Sequence, residues 1–199
     1  MPKTKDNDPI ELPRIRLETV EIPLIGDTPL ITNAMTEERK DEIEAKILGK
    51  AHKSKVLRDP GKEYELSKYL LADGGYGHPA SAFKKAAVEA CRLVDGFPMT
   101  EARVLFQVMG DLIRIEGEPK PRRDMVPANK AGGGSVPVYR AEFWPWSCKL
   151  LVRYYANRLS MEQLVNLFNL AGFGGVGCWR ASAPIGKSGN FGMFHVATT

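Results

Sequence analysis

Ten residues constrain this chain more than any others: Trp146 to Tyr155, WSCKLLVRYY. In an extended chain, successive side chains point to opposite faces. Cys148, Leu150, Val152 and Tyr154 then share one face, and Lys149, Leu151, Arg153 and Tyr155 share the other. The first set is apolar enough to lie under helices. The second is basic and aromatic, and is suited to solvent or to a ligand. An antiparallel sheet covered on one side only satisfies both sets.

The rest of the chain supplies elements for such a sheet. Arg14 to Leu24 reads as a strand, with Pro23 marking an edge, a bulge or the strand end. Gly26 to Pro29 is a turn signal. Thr36 is a natural N-cap, followed by Glu37 and Glu38 in the first turn of a helix that runs to about Leu48. The apolar stripe of that helix is thin: Ile43, Ile47 and Leu48. Residues 49–79 are charged and punctuated by glycine. They are predicted to form an insertion that is mobile or clamps a ligand, with a short helix near Glu63 to Leu71. Pro79 opens a helix from Ala80 to Leu93, with Phe83, Ala86, Ala87, Ala90 and Cys91 on its apolar side.

Residues 100–108 fit helix and strand equally. Leu112 to Gly117 reads as a strand. Pro119 to Pro137 contains four prolines and three successive glycines, which predicts a loop. Ser160 and Gln163 have capping-box spacing before Leu164, Leu167, Phe168 and Ala171, and Gly172 is placed to cap the C-terminus. Phe191 to Val196 is the last expected strand.

In order, the strong elements are strand, helix, strand, strand, helix, strand. That is the βαββαβ order of an α+β, ferredoxin-like domain. The expectation is a flexible arm over residues 1–13 and one domain over 14–199. That domain carries a helical insertion at about 36–79 and a glycine-rich C-terminal loop. RNA-recognition modules of this architecture use the uncovered sheet face.

Composition excludes several classes. The chain has 199 residues, 43% hydrophobic and 26% charged, which is enough to build a core. There is no run of 18 apolar residues, so no transmembrane helix is expected, and the polar N-terminus does not resemble a signal peptide. Cys91, Cys148 and Cys178 are odd in number and contain no CxxC pair, which predicts free thiols and a cytoplasmic location in a host cell. His52, His78 and His195 are too scattered for a zinc site, and neither a metal nor a cofactor is expected.

The net charge of +4 is unevenly spread. Between Pro119 and Arg158, eight Lys and Arg stand against Asp124 and Glu142, a local balance of +6, while the rest of the chain sums to −2. Tyr139, Phe143, Trp144, Trp146, Tyr154 and Tyr155 are interleaved with these charges. Cations release counterions from a polyanion and aromatics stack on bases, so this stretch suits a nucleic acid. The competing reading is a solvated basic face, with Trp144 or Trp146 anchored in the core around Pro145.

The tail from Gly172 to Gly192 holds seven glycines, together with Trp179, Arg180 and Lys187. Glycines let a backbone pass close to phosphate. Gly186-Lys187-Ser188 has the end of a Walker loop, but Ala181 stands where its first glycine belongs, and the segment follows a helix. A nucleotide-hydrolysing loop is rejected on those grounds, and so is a dinucleotide fold. Catalysis has thin support. His78 and His195 are candidate proton carriers, and Asp124 beside Arg122 and Arg123 suggests an ion pair.

Several segments together resemble a family of uncharacterised bacteriophage proteins over about residues 15–196. They are Pro29-Leu30-Ile31-Thr32-Asn33, Gly77-His78-Pro79-Ala80-Ser81-Ala82-Phe83-Lys84, Arg123-Asp124 and Arg140-Ala141-Glu142-Phe143 with Trp146. Ala171-Gly172 and Gly177-Cys178-Trp179-Arg180, with Gly189-Asn190-Phe191-Gly192, complete the pattern. More distantly, the glycine-rich loop before the last strand resembles the RAMP superfamily, the ferredoxin-like RNA-binding proteins of CRISPR effector complexes. The loop spacing departs from the usual RAMP spacing. This second resemblance implies RNA binding along a basic surface, with residues 36–79 acting as a thumb.

The expected function is therefore a phage-type protein that binds single-stranded nucleic acid, RNA ahead of DNA, and forms homo-oligomers on the strand without contacting a membrane. Its candidate contacts are Lys84, Arg122, Arg123, Lys130, Arg140, Lys149, Arg153, Tyr155, Trp179, Arg180 and Lys187. Two other classes stay open. One is a phage interaction protein that acts on a host defence or a virion partner through aromatics near 143–146. The other is a metal-free endoribonuclease using His78 or His195.

Overall fold

A computed structural model describes residues 13–49, 58–128, 134–184 and 186–197. Its elements follow the periodicities closely in most places. Strand β1 spans Leu17–Gly26 and a short β2 spans Leu30–Thr32. Helix α1 (Glu37–Ile47) and helix α2 (Pro60–Glu65) follow, then β3 (Tyr69–Leu70) and β4 (Tyr76–Pro79). Helix α3 is Ala80–Ala90, prolonged by one 3-10 turn, and α4 is Met99–Leu105. Next come β5 (Phe106–Val108), β6 (Leu112–Glu116), β7 (Pro119–Pro127), β8 (Ser135–Phe143) and β9 (Ser147–Tyr155). Helix α5 (Met161–Gly174) and β10 (Phe194–Val196) complete an α+β chain.

The main sheet is antiparallel in the order β10-β1-β9-β6-β4-β3, with β5 pairing β9 beyond β6. Along β9 the burial alternates as the sequence pattern demands. Cys148, Leu150, Val152 and Tyr154 are buried, while Lys149, Leu151 and Arg153 are exposed. Ile22 and Leu24 of β1 join the buried face. Phe83 and Ala87 of α3 and Leu164 and Phe168 of α5 close over it as one core. Each large side chain buried there contributes roughly 1.5–3 kcal/mol.

A second sheet, β2-β8-β7, stands where the prolines predicted a loop. Proline lacks an N–H, but an edge strand tolerates it where that N–H would point outward. Pro119, Pro121 and Pro127 in β7 pair with Phe143, Ala141 and Ser135, and Pro137 of β8 pairs with Met125. All four therefore fall in one class of the alternating ladder. The opposite class carries the bonds, as where the Ala128 N–H donates to the Gly134 carbonyl at 2.9 Å. The Ala141 N–H points away from β7 and donates to Ser67 Oγ at 2.7 Å.

Two further expectations are corrected. Gly172 is not a C-cap. It lies inside α5, where a Cβ would sit 1.7 Å from the Phe194 carbonyl oxygen, and Gly175 at φ +68 ends the helix instead. The insertion is only partly separate, because β4 pairs with β6 in the main sheet. Residues 100–108 are both readings in sequence, with α4 passing directly into β5. The thin stripe of α1 stays uncovered, with Ile43, Ile47 and Leu48 all exposed. Of the arm expected over residues 1–13, residues 1–12 lie outside the described residues, as does His52.

Candidate functional site

The glycine-rich segment after α5 folds back over the β7–β8 hairpin, and the two enclose the candidate site. Gly177 lies at φ +78, where a Cβ would be 2.6 Å from the Ile31 carbonyl oxygen. Only glycine lets the segment cross β2 this closely. The Cys178 N–H then donates to that Ile31 carbonyl at 2.8 Å. Trp179 takes a left-handed φ of 57, rare for a bulky residue. Its carbonyl accepts from the Phe191 N–H at 3.3 Å, and Gly189 lies against it.

Two hairpin arginines stack on two aromatics of the segment. The Arg140 guanidinium lies 5.2 Å from the centre of the Trp179 ring, and that of Arg122 lies 4.6 Å from the Phe191 ring. Such contacts contribute roughly 0.5–1 kcal/mol when exposed and more when dry. Arg122 and Arg140 are cross-strand neighbours, and like charges placed opposite repel. Carboxylates on the same face offset this. Arg122 reaches Glu142 at 2.5 Å and Asp124 at 2.9 Å, and Arg140 lies 3.9 Å from Asp124. Burial disfavours the Arg122 charge, but its hydrogen bonds to Glu142 and Asp124 outweigh that and hold its pKa above the usual value.

Beyond this cluster opens a cleft of about 940 Å³, lined in part by Asn33, Arg140, Cys178, Trp179, Arg180 and Lys187. Arg180 is braced by its own loop, donating to the Gly177 carbonyl at 3.2 Å and to Ser182 Oγ at 3.1 Å. Burial pushes the Cys178 thiol up, against the pull of Arg140 and Arg180, so the thiol stays protonated and unreactive. Trp179 Nε1, Arg140 Nη1 and Asp124 Oδ2 are buried without a hydrogen-bond partner among the described residues. The surroundings are thus rich in donors and cations.

Of the eleven sequence candidates, Arg140, Trp179, Arg180 and Lys187 line this cleft, and Arg122 stands beside it against Phe191. Arg123 is exposed on the other face of the hairpin. Lys84 is half-buried on α3, where burial lowers its pKa and its ammonium donates to Gln107. Lys149, Arg153 and Tyr155 lie on the uncovered face of β9 and do not line the cleft. Lys149 pairs there with Glu21 at 3.0 Å, and Leu17, Ile25 and Leu151 are exposed on the same sheet face. Lys130 lies outside the described residues.

Two contributors escaped sequence reading. Asn33 forms part of the cleft wall, and Arg39 holds it, donating to Asn33 Oδ1 at 2.5 Å and to the Ala34 carbonyl at 2.8 Å. Arg39 occupies an ordinary polar helix position, so nothing in the sequence marked it.

The histidines divide sharply. His78 is 4% exposed in β4, edge-on to the Tyr69 and Phe83 rings, and cannot meet a substrate. Desolvation, aided by the Arg180 charge, lowers its pKa to about 4. His195 is exposed, with Nδ1 2.6 Å from Asp27. Trp146 and Phe143 are core residues, and Trp144 alone of the three is exposed.

Among the described residues no three His, Cys, Asp or Glu side chains converge as a metal site, and no helix is long and apolar enough to cross a membrane. No family model matches the chain, and no curated protein does.

Proposed function

We propose that the chain binds single-stranded nucleic acid, RNA ahead of DNA, in the cleft between the β7–β8 hairpin and the glycine-rich segment. One observation carries this reading: Arg140, Arg180 and Lys187 meet beside the Trp179 ring in one open cleft. Cations hold phosphates, and a flat indole offers a stacking surface for a base. The hairpin carboxylates are already engaged by Arg122, so they offset less of the charge of the cleft.

The architecture supports a ferredoxin-like, RAMP-like reading of the frame. The strand order β10-β1-β9-β6 is antiparallel throughout, α3 lies between β1 and β6 in sequence, and α5 lies between β9 and β10. The β7–β8 hairpin is inserted between the second and third strands of that unit. On this reading the hairpin and the loop before β10 act together as a clamp on the strand. The uncovered sheet face, with its mixed charges, is secondary.

Fluorescence anisotropy with labelled single-stranded RNA, single-stranded DNA and duplex at two salt concentrations tests the proposal. Salt-sensitive binding of a single-stranded form is expected. No binding of any of the three would sink it.

A further inference from the structure

We propose that the cleft beside Trp179 takes the end of a strand and selects a terminal phosphate over a hydroxyl end. This inference rests on the nucleic-acid reading of the same cleft. The direction of the hydrogen bonds around it carries the argument. Asn33 Oδ1 accepts from Arg39 Nη1 at 2.5 Å, and a guanidinium only donates, so the amide is fixed with its Nδ2 donor as the free end. Arg180 donates from Nε to Ser182 Oγ at 3.1 Å and from Nη1 to the Gly177 carbonyl at 3.2 Å, which fixes its fork and leaves Nη2 free among the described residues. Lys187 adds an exposed ammonium, and no Asp or Glu stands in the described lining.

The described side chains of the wall thus offer donors and no free acceptor. A nucleoside presents donors as well as acceptors, and its donors would go unmatched there. A phosphate only accepts, and its hydrogen bonds from charged donors are about twice as strong as neutral ones. The Trp179 indole remains as a stacking surface for the base next to that phosphate.

Charge and size point to a terminal phosphate rather than an internal one. Arg122 and Arg140 face Asp124 and Glu142, so those four charges offset one another. Arg180 and Lys187 have no ion pair among the described residues, which leaves the cleft two positive charges in excess. A terminal phosphate carries about −1.5 to −2 at pH 7 and three acceptor oxygens, so one group meets that excess. The volume of about 940 Å³ is that of a small-ligand cleft. A groove that tracks the interior of a strand runs past about 4–16 nucleotides. The cleft is too short for that path and has room for the last nucleotide of a chain.

Competition against a labelled, hydroxyl-ended single strand tests this with the full chain. The competitors are unlabelled strands of one sequence with a 5′-phosphate, a 3′-phosphate or hydroxyl ends, and a free nucleoside monophosphate. One phosphorylated strand is expected to compete at least about tenfold better than the hydroxyl-ended strand. That preference is expected to vanish in Arg180→Ala with Lys187→Ala. It is expected to vanish also in Asn33→Asp, which keeps the Arg39 bond but turns a carboxylate oxygen towards the phosphate. Equal competition by the three strands would overturn the selection of an end and leave the cleft reading standing. A preference that survives in both variants would place the phosphate elsewhere and overturn the proposal. A free monophosphate that competes as well as the phosphorylated strand would assign the site to a nucleotide and overturn it too. If none of the strands binds, the nucleic-acid reading fails and this inference falls with it.

Discussion

His78 shows how one residue ties burial to pH. Both of its ring nitrogens lack a partner among the described residues, so only the neutral ring is tolerated. Its pKa is about 4 in the fold against an ordinary 6.5. Above pH 6.5 neither state is protonated and the stability contribution is complete. As pH falls from 6.5 towards 4, the unfolded chain takes up a proton that the fold refuses, and stability is lost. The loss at pH 4.5 should be about 2–3 kcal/mol, and His78→Phe should remove it. Urea unfolding at pH 7.5 and 4.5 measures the difference, and equal pH slopes for both proteins would contradict it.

Gly172 sets a second contest at the same scale. Alanine in a helix interior is better than glycine by about 1 kcal/mol. Here its Cβ would lie 1.7 Å from the Phe194 carbonyl, so α5 and β10 would have to part. Gly172→Ala should therefore destabilise, by about 2 kcal/mol or more. A raised urea midpoint would show that the close approach is not needed.

At the scale of elements, the capping box of α5 was legible because its chemistry is local. The Ser160 side chain accepts from the Gln163 N–H, and Gln163 returns the bond. Ser160→Ala should cost about 1 kcal/mol in thermal or urea unfolding. The β7–β8 hairpin was not legible, because prolines break a strand or fit it according to their places in the ladder, which their number does not reveal. Their odd-numbered positions leave the bonding class of the ladder intact. Met125, in the proline class, should accept proline with little loss, whereas Val126→Pro should disrupt the hairpin. Circular dichroism and urea midpoints of the two variants decide this, and similar losses in both would contradict the ladder assignment.

The whole molecule explains why the candidate site was only half visible in sequence. The alternation in β9 correctly separated core from surface, but it could not show which surface lies opposite the C-terminal segment. Arg140 and Arg180 are 40 positions apart in sequence and meet only because Gly177 lets the chain cross β2. The basic excess between Pro119 and Arg158 is also smaller in space than in sequence. Arg122 is held by Asp124 and Glu142, Lys149 by Glu21 and Arg158 by Glu101. Of that stretch, Lys120, Arg123 and Arg153 are exposed with no ion pair among the described residues, spread over the hairpin and β9, while Arg180 and Lys187 add two further cations at the cleft.

The most direct measurement is the salt dependence of binding to a labelled single strand of about 30 nucleotides, for three proteins. These are the wild type, the cleft variant Arg180→Ala with Lys187→Ala, and the sheet-face variant Lys149→Ala with Arg153→Ala. Each lost phosphate contact lowers the slope of log affinity against log salt by about 0.7 for a single strand. The cleft variant should bind more weakly, with a slope reduced by about 1.4. The sheet-face variant should stay close to wild type. A slope reduced only in the sheet-face variant would place the strand on the open face and contradict the cleft.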